Sequence, residues 1–122
     1  MSHALLLIAH GSRREESNDE VRELTRQLSK ESGFTLVDCA FLELAQPDIV
    51  SGGESLIARG ASELTVVPYF LVAGRHVVTD VPEEVEKLRM ANPGVSIHIT
   101  EHLGASDAMV GLILQRAGSP AS

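Results

Sequence analysis

The sequence predicts an α/β fold, a mostly parallel four-stranded sheet flanked by helices, and three observations predict it. Four short apolar runs alternate with four amphipathic segments along the chain, the rhythm of strand–helix–strand crossovers. The first run, Leu5-Leu6-Leu7-Ile8-Ala9, is apolar without interruption, as in a strand covered on both faces. Glycine or proline stands at most of the junctions, among them Gly33, Pro47, Gly60 and Pro68.

Taken in order, the first strand runs from Ala4 to Ala9 and is closed by His10 and Gly11. Ser12 offers an N-cap, Glu15 and Glu16 suit a first helical turn, and Val21, Leu24 and Leu28 recur at helical spacing as far as Gly33. Thr35 to Leu42 reads as the second strand. Pro47 and Asp48 open a second helix with a stripe of Ile49, Val50, Gly53, Leu56 and Ile57. Inside it, Gly52 and Gly53 each cost about 1 kcal/mol of helix propensity relative to alanine. Either they admit close packing or the helix is irregular there. Gly60 ends that helix, and Leu64 to Val67 is the third strand, cut off by Pro68. An apolar loop is expected over residues 68–79. Asp80 and Glu83 form a capping-box-like pair around Pro82, ahead of Val85 and Leu88. Asn92-Pro93-Gly94 is a turn and Val95 to Ile99 the fourth strand. Ser106 caps a last helix through Met109, Leu112 and Ile113, ending at Gly118.

Composition narrows the function. At 122 residues and 13.1 kDa the chain reads as one domain, 1–122, with a frayed tail over 118–122. Ten basic residues against seventeen acidic ones leave a net charge of −7, a field that repels nucleic acid and anionic lipid. Neither is expected as a partner. No run approaches the ~20 apolar residues of a membrane span, and the apolar N-terminal run is too short and uncharged for a secretory leader. Cys39 is the single cysteine and has no internal partner. A cytoplasmic protein is expected.

In sheets of this kind ligands sit beyond the carboxyl ends of the strands, which directs attention to residues 10–14, 43–46, 68–76 and 101–106. His10 follows the first strand directly. It either faces a crevice or caps the next helix. Arg13 and Arg14 fall where a helix begins, a place that disfavours cations unless an anion approaches. Phe70-Leu71-Val72-Ala73-Gly74-Arg75-His76 is apolar where loops are ordinarily polar, which fits a flat hydrophobic ligand or a subunit contact, and it delivers a second histidine to the same edge. Glu43 completes a set of two imidazoles and a carboxylate, suited to a divalent first-row metal with open positions. A closed structural zinc site would need more cysteine than Cys39. His3 lies at the opposite edge, His98 inside the fourth strand pattern, and Glu101-His102 at the carboxyl edge as an auxiliary pair. No GxSxG, GxGxxG or GxxxxGK[ST] pattern occurs.

Three blocks, Leu6 to Arg13, Ala40 to Ile49 and Val67 to Val77 with Asp80-Val81-Pro82, resemble the small CbiX/SirB class of sirohydrochlorin chelatases. The resemblance implies a chelatase-like three-layer fold and a lyase that inserts Co²⁺, Fe²⁺ or Ni²⁺ into sirohydrochlorin, towards cobalamin or sirohaem. It implies His10 and His76 as metal-holding and catalytic residues, His10 also as proton acceptor, and Glu43 as a further metal ligand. Gln46, Leu71, Val72, Ala73, Gly74 and Arg75 match substrate-contacting positions, and Arg13 stands with Arg75 and Arg14 as a cationic rim for the substrate's carboxylates. The metal is substrate, and no organic cofactor is implied. Longer members hold two such units, so a single unit implies a homodimer. Two other readings stay open: a metal or tetrapyrrole carrier without turnover, and a phosphate-binding domain using the helix N-terminus at Ser12.

Overall fold

The computed structural model of the chain describes residues 2–118 and Pro120. Strands β1 (Ser2–Ala9), β2 (Leu36–Phe41), β3 (Ala61–Pro68) and β4 (Ser96–Ile99) form one sheet in the order β2-β1-β3-β4. Every pairing in it is parallel. Helices α1 (Glu15–Glu31), α2 (Ile49–Ala58), α3 (Val81–Ala91) and α4 (Ala108–Ala117) follow the four strands in turn. The order reverses direction between β1 and β3, so a crevice opens at their carboxyl ends.

The uninterrupted apolar run of β1 is explained by its place in the middle. Ala4, Leu6 and Ile8 point into one core, with Leu56 of α2 and Val85 and Leu88 of α3. Leu7 and Ala9 point the other way, into a second core with Cys39, Phe41 and the α1 stripe of Val21, Leu24 and Leu28. Three layers result. Burial pushes the Cys39 thiol above its ordinary range, as befits a small core residue.

The glycine pair in α2 serves close packing. A β-carbon on Gly53 would lie 2.3 Å from Leu88 Cδ2, and one on Gly52 3.0 Å from Ala40 Cβ. Overpacking of that kind costs about 1–3 kcal/mol, comparable to or larger than the helix propensity that the glycines forgo.

Several local expectations are corrected. The expected strand ends move inwards from Thr35, Leu42 and Val95, and β1 and β3 extend to Ser2 and Ala61. Helix α1 starts at Glu15 with Arg14 at the cap and no side-chain cap bond, because Ser12 lies too far upstream. Arg13 and Arg14 therefore precede the helix rather than occupy its first turn. The loop expected over 68–79 is shorter, since His76–Asp80 forms one turn of π-helix running into α3. Asp80 makes no capping bond at all. Ser106 does cap α4 as expected, its Oγ accepting from Ala108 N–H at 3.2 Å, while Asp107 at the helix boundary makes no side-chain cap bond.

The larger correction concerns coverage. Helix α4 buries none of its residues and packs on the short turn Leu103–Ala105. Val110, Leu112, Ile113 and Leu114 stand 51–65% exposed. On the α1 side, the sheet beyond β1 is left partly open, with Val67 half-buried, Tyr69 exposed and His98 exposed on edge strand β4. Of the tail expected at 118–122, Gly118 ends α4 with φ 75°, and apart from Pro120 the rest lies outside the described residues.

Candidate metal and tetrapyrrole site

Two loops meet at the crevice. The first leaves β1 at His10. Its backbone is held to the loop after β2 by Leu42 N–H donating to Ala9 O (2.9 Å) and Glu43 N–H donating to His10 O (3.0 Å). Gly11 makes that approach possible: its φ is 94°, and a β-carbon there would fall 1.7 Å from the Glu43 carbonyl oxygen. Beyond it, Asn18 is buried inside α1. Its side chain accepts from Ser12 N–H (2.9 Å) and donates to Ser12 O (2.8 Å). His10 is thus clamped on both sides.

This backbone fit puts His10 Nε2 at 3.2 Å from Glu43 Oε2, both side chains half-exposed. His10 Nδ1 lies 3.0 Å from Gly11 O. The carbonyl only accepts, so that bond places the proton on Nδ1 and leaves Nε2 facing the carboxylate. Two ligands each about 2.1 Å from one ion, at roughly a right angle, stand about 3 Å apart. The His10–Glu43 pair has that spacing.

The second loop leaves β3 and delivers His76, whose ring centroid lies 4.6 Å from that of His10 at an interplanar angle of 57°. Residues 66 positions apart in the chain are therefore neighbours at one edge. His76 Nδ1 is 2.8 Å from Asp80 Oδ2. An open cleft of about 340 Å³ lies beside them, lined by Leu42, Glu43, His76, Asp80, Glu83 and Glu84. Among the described residues no three His, Cys, Asp or Glu side chains are grouped closely enough to hold a metal ion together. The geometry is an open pair with a third group alongside, suited to an ion that must leave again.

Between β3 and His76 the loop packs half-buried Phe70 against the core and is exposed from Leu71 to Arg75, with Leu71 at 65% and Val72 at 77%. Its backbone is seated by Gly104, which donates to Phe70 O at 3.0 Å. A β-carbon on Gly104 would lie 1.7 Å from Leu71 O. Ala73, Gly74 and Arg75 are exposed in the same loop. Arg13 and Arg14 are exposed beside the first loop, and among the described residues none of these three arginines is ion-paired. Gln46 is exposed and precedes the cis bond to Pro47.

The structure therefore brings His10, Glu43 and His76 together, while Arg13, Gln46 and residues 71–75 stand exposed on the loops that carry them. His3 is elsewhere, bonded to Thr65 (3.0 Å) near Glu63. Glu101 and His102 make no side-chain bond with either site histidine among the described residues. At the anion cradle considered near Ser12 two of the donors are taken, Ser12 N–H by Asn18 and Arg14 N–H by Ser12 Oγ at 3.0 Å. Asn18 and Gly104 carry no assignment from sequence, and Asp80 only that of a helix cap within the family-like block. Asn18 was legible as an amide on an otherwise apolar helical stripe, and Asp80 as an acid four residues after a site histidine. Gly104 carried no such signal.

Residues 4–119 match the CbiX family. The chain belongs to that family. It is 32% identical over 113 residues to the sirohydrochlorin ferrochelatase of Priestia megaterium, covering 93% of this chain but 42% of that protein. It is 31% identical over 114 residues to the sirohydrochlorin cobaltochelatase of Sulfurisphaera tokodaii, covering 93% of this chain and 90% of that one. The structure of the sirohydrochlorin chelatase SirB from Bacillus subtilis subspecies spizizenii in complex with cobalt superposes with a TM-score of 0.87 at 27% identity. That match covers 96% of this chain and 50% of SirB. The chain thus spans about half the length of the ferrochelatase relatives and nearly all of the short cobaltochelatase. No helix among the described residues is long and apolar enough to cross a membrane.

Proposed function

We propose that this CbiX-family chain is a sirohydrochlorin metal chelatase, a lyase that inserts Co²⁺ or Fe²⁺ into the tetrapyrrole. The observation that carries the reading is the meeting of His10 and His76, 4.6 Å apart, with Glu43 at 3.2 Å from His10. Metallation exchanges two pyrrolic N–H protons for one dication. His10 and Glu43 hold the incoming metal, and His76, held by Asp80 at 2.8 Å through Nδ1, offers its Nε2 to the same ion. As metal passes to the ring nitrogens, the released imidazole of His10 accepts one pyrrolic proton, a role open to a neutral imidazole, and the second proton passes to solvent through the open cleft. The metal and the proton thus use one lone pair in succession.

The exposed apolar segment Leu71 to Gly74 offers a flat, water-excluding surface for the macrocycle. Sirohydrochlorin is a polycarboxylate and the chain carries −7, so binding requires a local cationic rim. Arg13 and Arg75 supply forked donors for it, and exposed Gln46 adds a neutral contact.

Replacing His10 or His76 by alanine is expected to slow cobalt insertion about 100-fold or more, read from the absorbance of sirohydrochlorin mixed with Co²⁺. Wild-type rates in both variants would remove the assignment. Stoichiometric cobalt uptake with no acceleration over the uncatalysed reaction would instead make the chain a carrier.

We further propose that the protein acts in the cytoplasm as a homodimer. Two unpartnered apolar surfaces support the dimer. One is helix α4, whose Val110, Leu112, Ile113 and Leu114 are all exposed. The other is a groove of about 270 Å³ on the open side of the sheet, lined by Leu5, Leu7, Leu24, Leu28, Val67, Tyr69 and Leu103. A second copy supplies each surface with the other. Leu112→Asp with Ile113→Asp is expected to yield a monomer in sedimentation velocity; a dimer unchanged by the pair would exclude α4 from the interface.

A further inference from the structure

Asp80 occupies the cap position of α3 and does none of a cap's work. Its backbone is already helical, with φ −68° and ψ −46°, and its side chain makes no capping bond. Instead its carboxylate reaches back four residues to His76 Nδ1 at 2.8 Å. Val81 N–H bonds to His76 O, five residues back, so one wide turn joins the histidine to the helix and keeps the two side chains, four residues apart, on one face.

The two ends of that turn differ in how firmly they are held. His76 follows the exposed stretch Leu71 to Arg75. Asp80 is followed at once by Val81, which is fully buried and packs in the same core as Val85 and Leu88. Asp80 is therefore the last site residue anchored by the core, and its bond passes that anchorage to a ring otherwise borne by a loop. A carboxylate accepts and cannot donate, so the bond demands the proton on His76 Nδ1 and leaves the Nε2 lone pair free.

On this basis, and resting on the chelatase reading above, we propose that Asp80 is a positioning residue for metal capture: it locks His76 in the Nδ1–H tautomer with Nε2 turned to the incoming divalent ion. His10 is secured by a carbonyl and by its neighbours' backbone; His76 depends on this one side chain. Partners of this kind contribute about 10–100-fold to metal affinity. The other carboxylates of the cleft do not share the task, since Glu84 is paired with Lys87 at 2.6 Å and Glu83 forms no bond with either histidine.

The test compares Asp80→Ala and Asp80→Asn in the full chain, with Co²⁺ alone as the probe and no tetrapyrrole, so that its outcome is independent of turnover. Long-range ¹H–¹⁵N correlation of the neutral ring should show His76 as Nδ1–H in the parent. Asp80→Ala should release it towards the Nε2–H form and weaken cobalt binding about 10–100-fold. Asp80→Asn keeps an acceptor oxygen in place; it should preserve the tautomer and lose at most a few-fold in affinity. With sirohydrochlorin added, Asp80→Ala should raise the KM for cobalt and leave the KM for the tetrapyrrole unchanged. An unchanged tautomer and cobalt affinity in Asp80→Ala would overturn the proposal. So would Asp80→Asn losing as much affinity as Asp80→Ala with the tautomer intact, which would make Asp80 a ligand itself. If the binding results hold while the parent protein shows no metal insertion, the chelatase reading fails and the positioning role stands.

Discussion

The loop after β1 and the loop after β3 each present one histidine to the same crevice, and they are held in opposite ways. The first is short and fixed from both sides, by Glu43 N–H on His10 O and by buried Asn18 on Ser12. The second is long and apolar, exposed from Leu71 to Arg75, and secured only near its ends by Gly104 and by the turn into α3. The difference divides the labour. A rigid loop sets the distance between His10 and Glu43, on which a metal ion depends to tenths of an ångström. An exposed loop offers area to a large flat substrate, for which tolerance is an advantage.

Each loop is seated by one glycine whose β-carbon would fall 1.7 Å from a carbonyl oxygen, Gly11 against Glu43 and Gly104 against Leu71. Alanine at each is the sharpest way to break the comparison. Gly11→Ala should have the larger effect, because it adds left-handed backbone strain to the clash. A loss of about 2–4 kcal/mol in urea unfolding is expected, with cobalt affinity reduced. Gly104→Ala, where space alone is at stake, should cost about 1–3 kcal/mol; it should raise the KM for the tetrapyrrole and leave cobalt binding in place. If both variants disturb cobalt and tetrapyrrole alike, the two loops form one unit and the division is wrong. The smallest effect belongs to the rim. Arg75→Ala should raise the tetrapyrrole KM by about threefold to tenfold with little change in kcat, since an exposed charge contributes little beyond its contact. An unchanged KM removes Arg75 from substrate binding.

The same contrast marks what could be read without coordinates. His10 is legible because an apolar strand buried in a parallel sheet leaves its next residue at the carboxyl edge, and His76 because the loop leaving the third strand starts from that same edge. Glu43 followed by the same rule, one residue after the second strand pattern. Asp80 was misread as a cap because its spacing to Glu83 and Pro82 satisfies the pattern of a helix start. Only the π-turn, which brings its carboxylate to His76, decides between the two bonds it could make. Helix α4 was expected to cover the sheet like the others. Its apolar period is real, yet nothing local states which surface it meets.

What the sequence determined by itself was the alternation of strand and helix, the edge at which chemistry sits and the residue types gathered there, since periodicity and chain order suffice for these. The tertiary structure decided the separations: 3.2 Å between His10 and Glu43, 4.6 Å between the two rings, 2.8 Å from His76 to Asp80. Those depend on backbones approaching through space, where Gly11 and Gly104 leave room for a neighbouring carbonyl. A linear pattern cannot express that, because each glycine's partner lies more than thirty residues away.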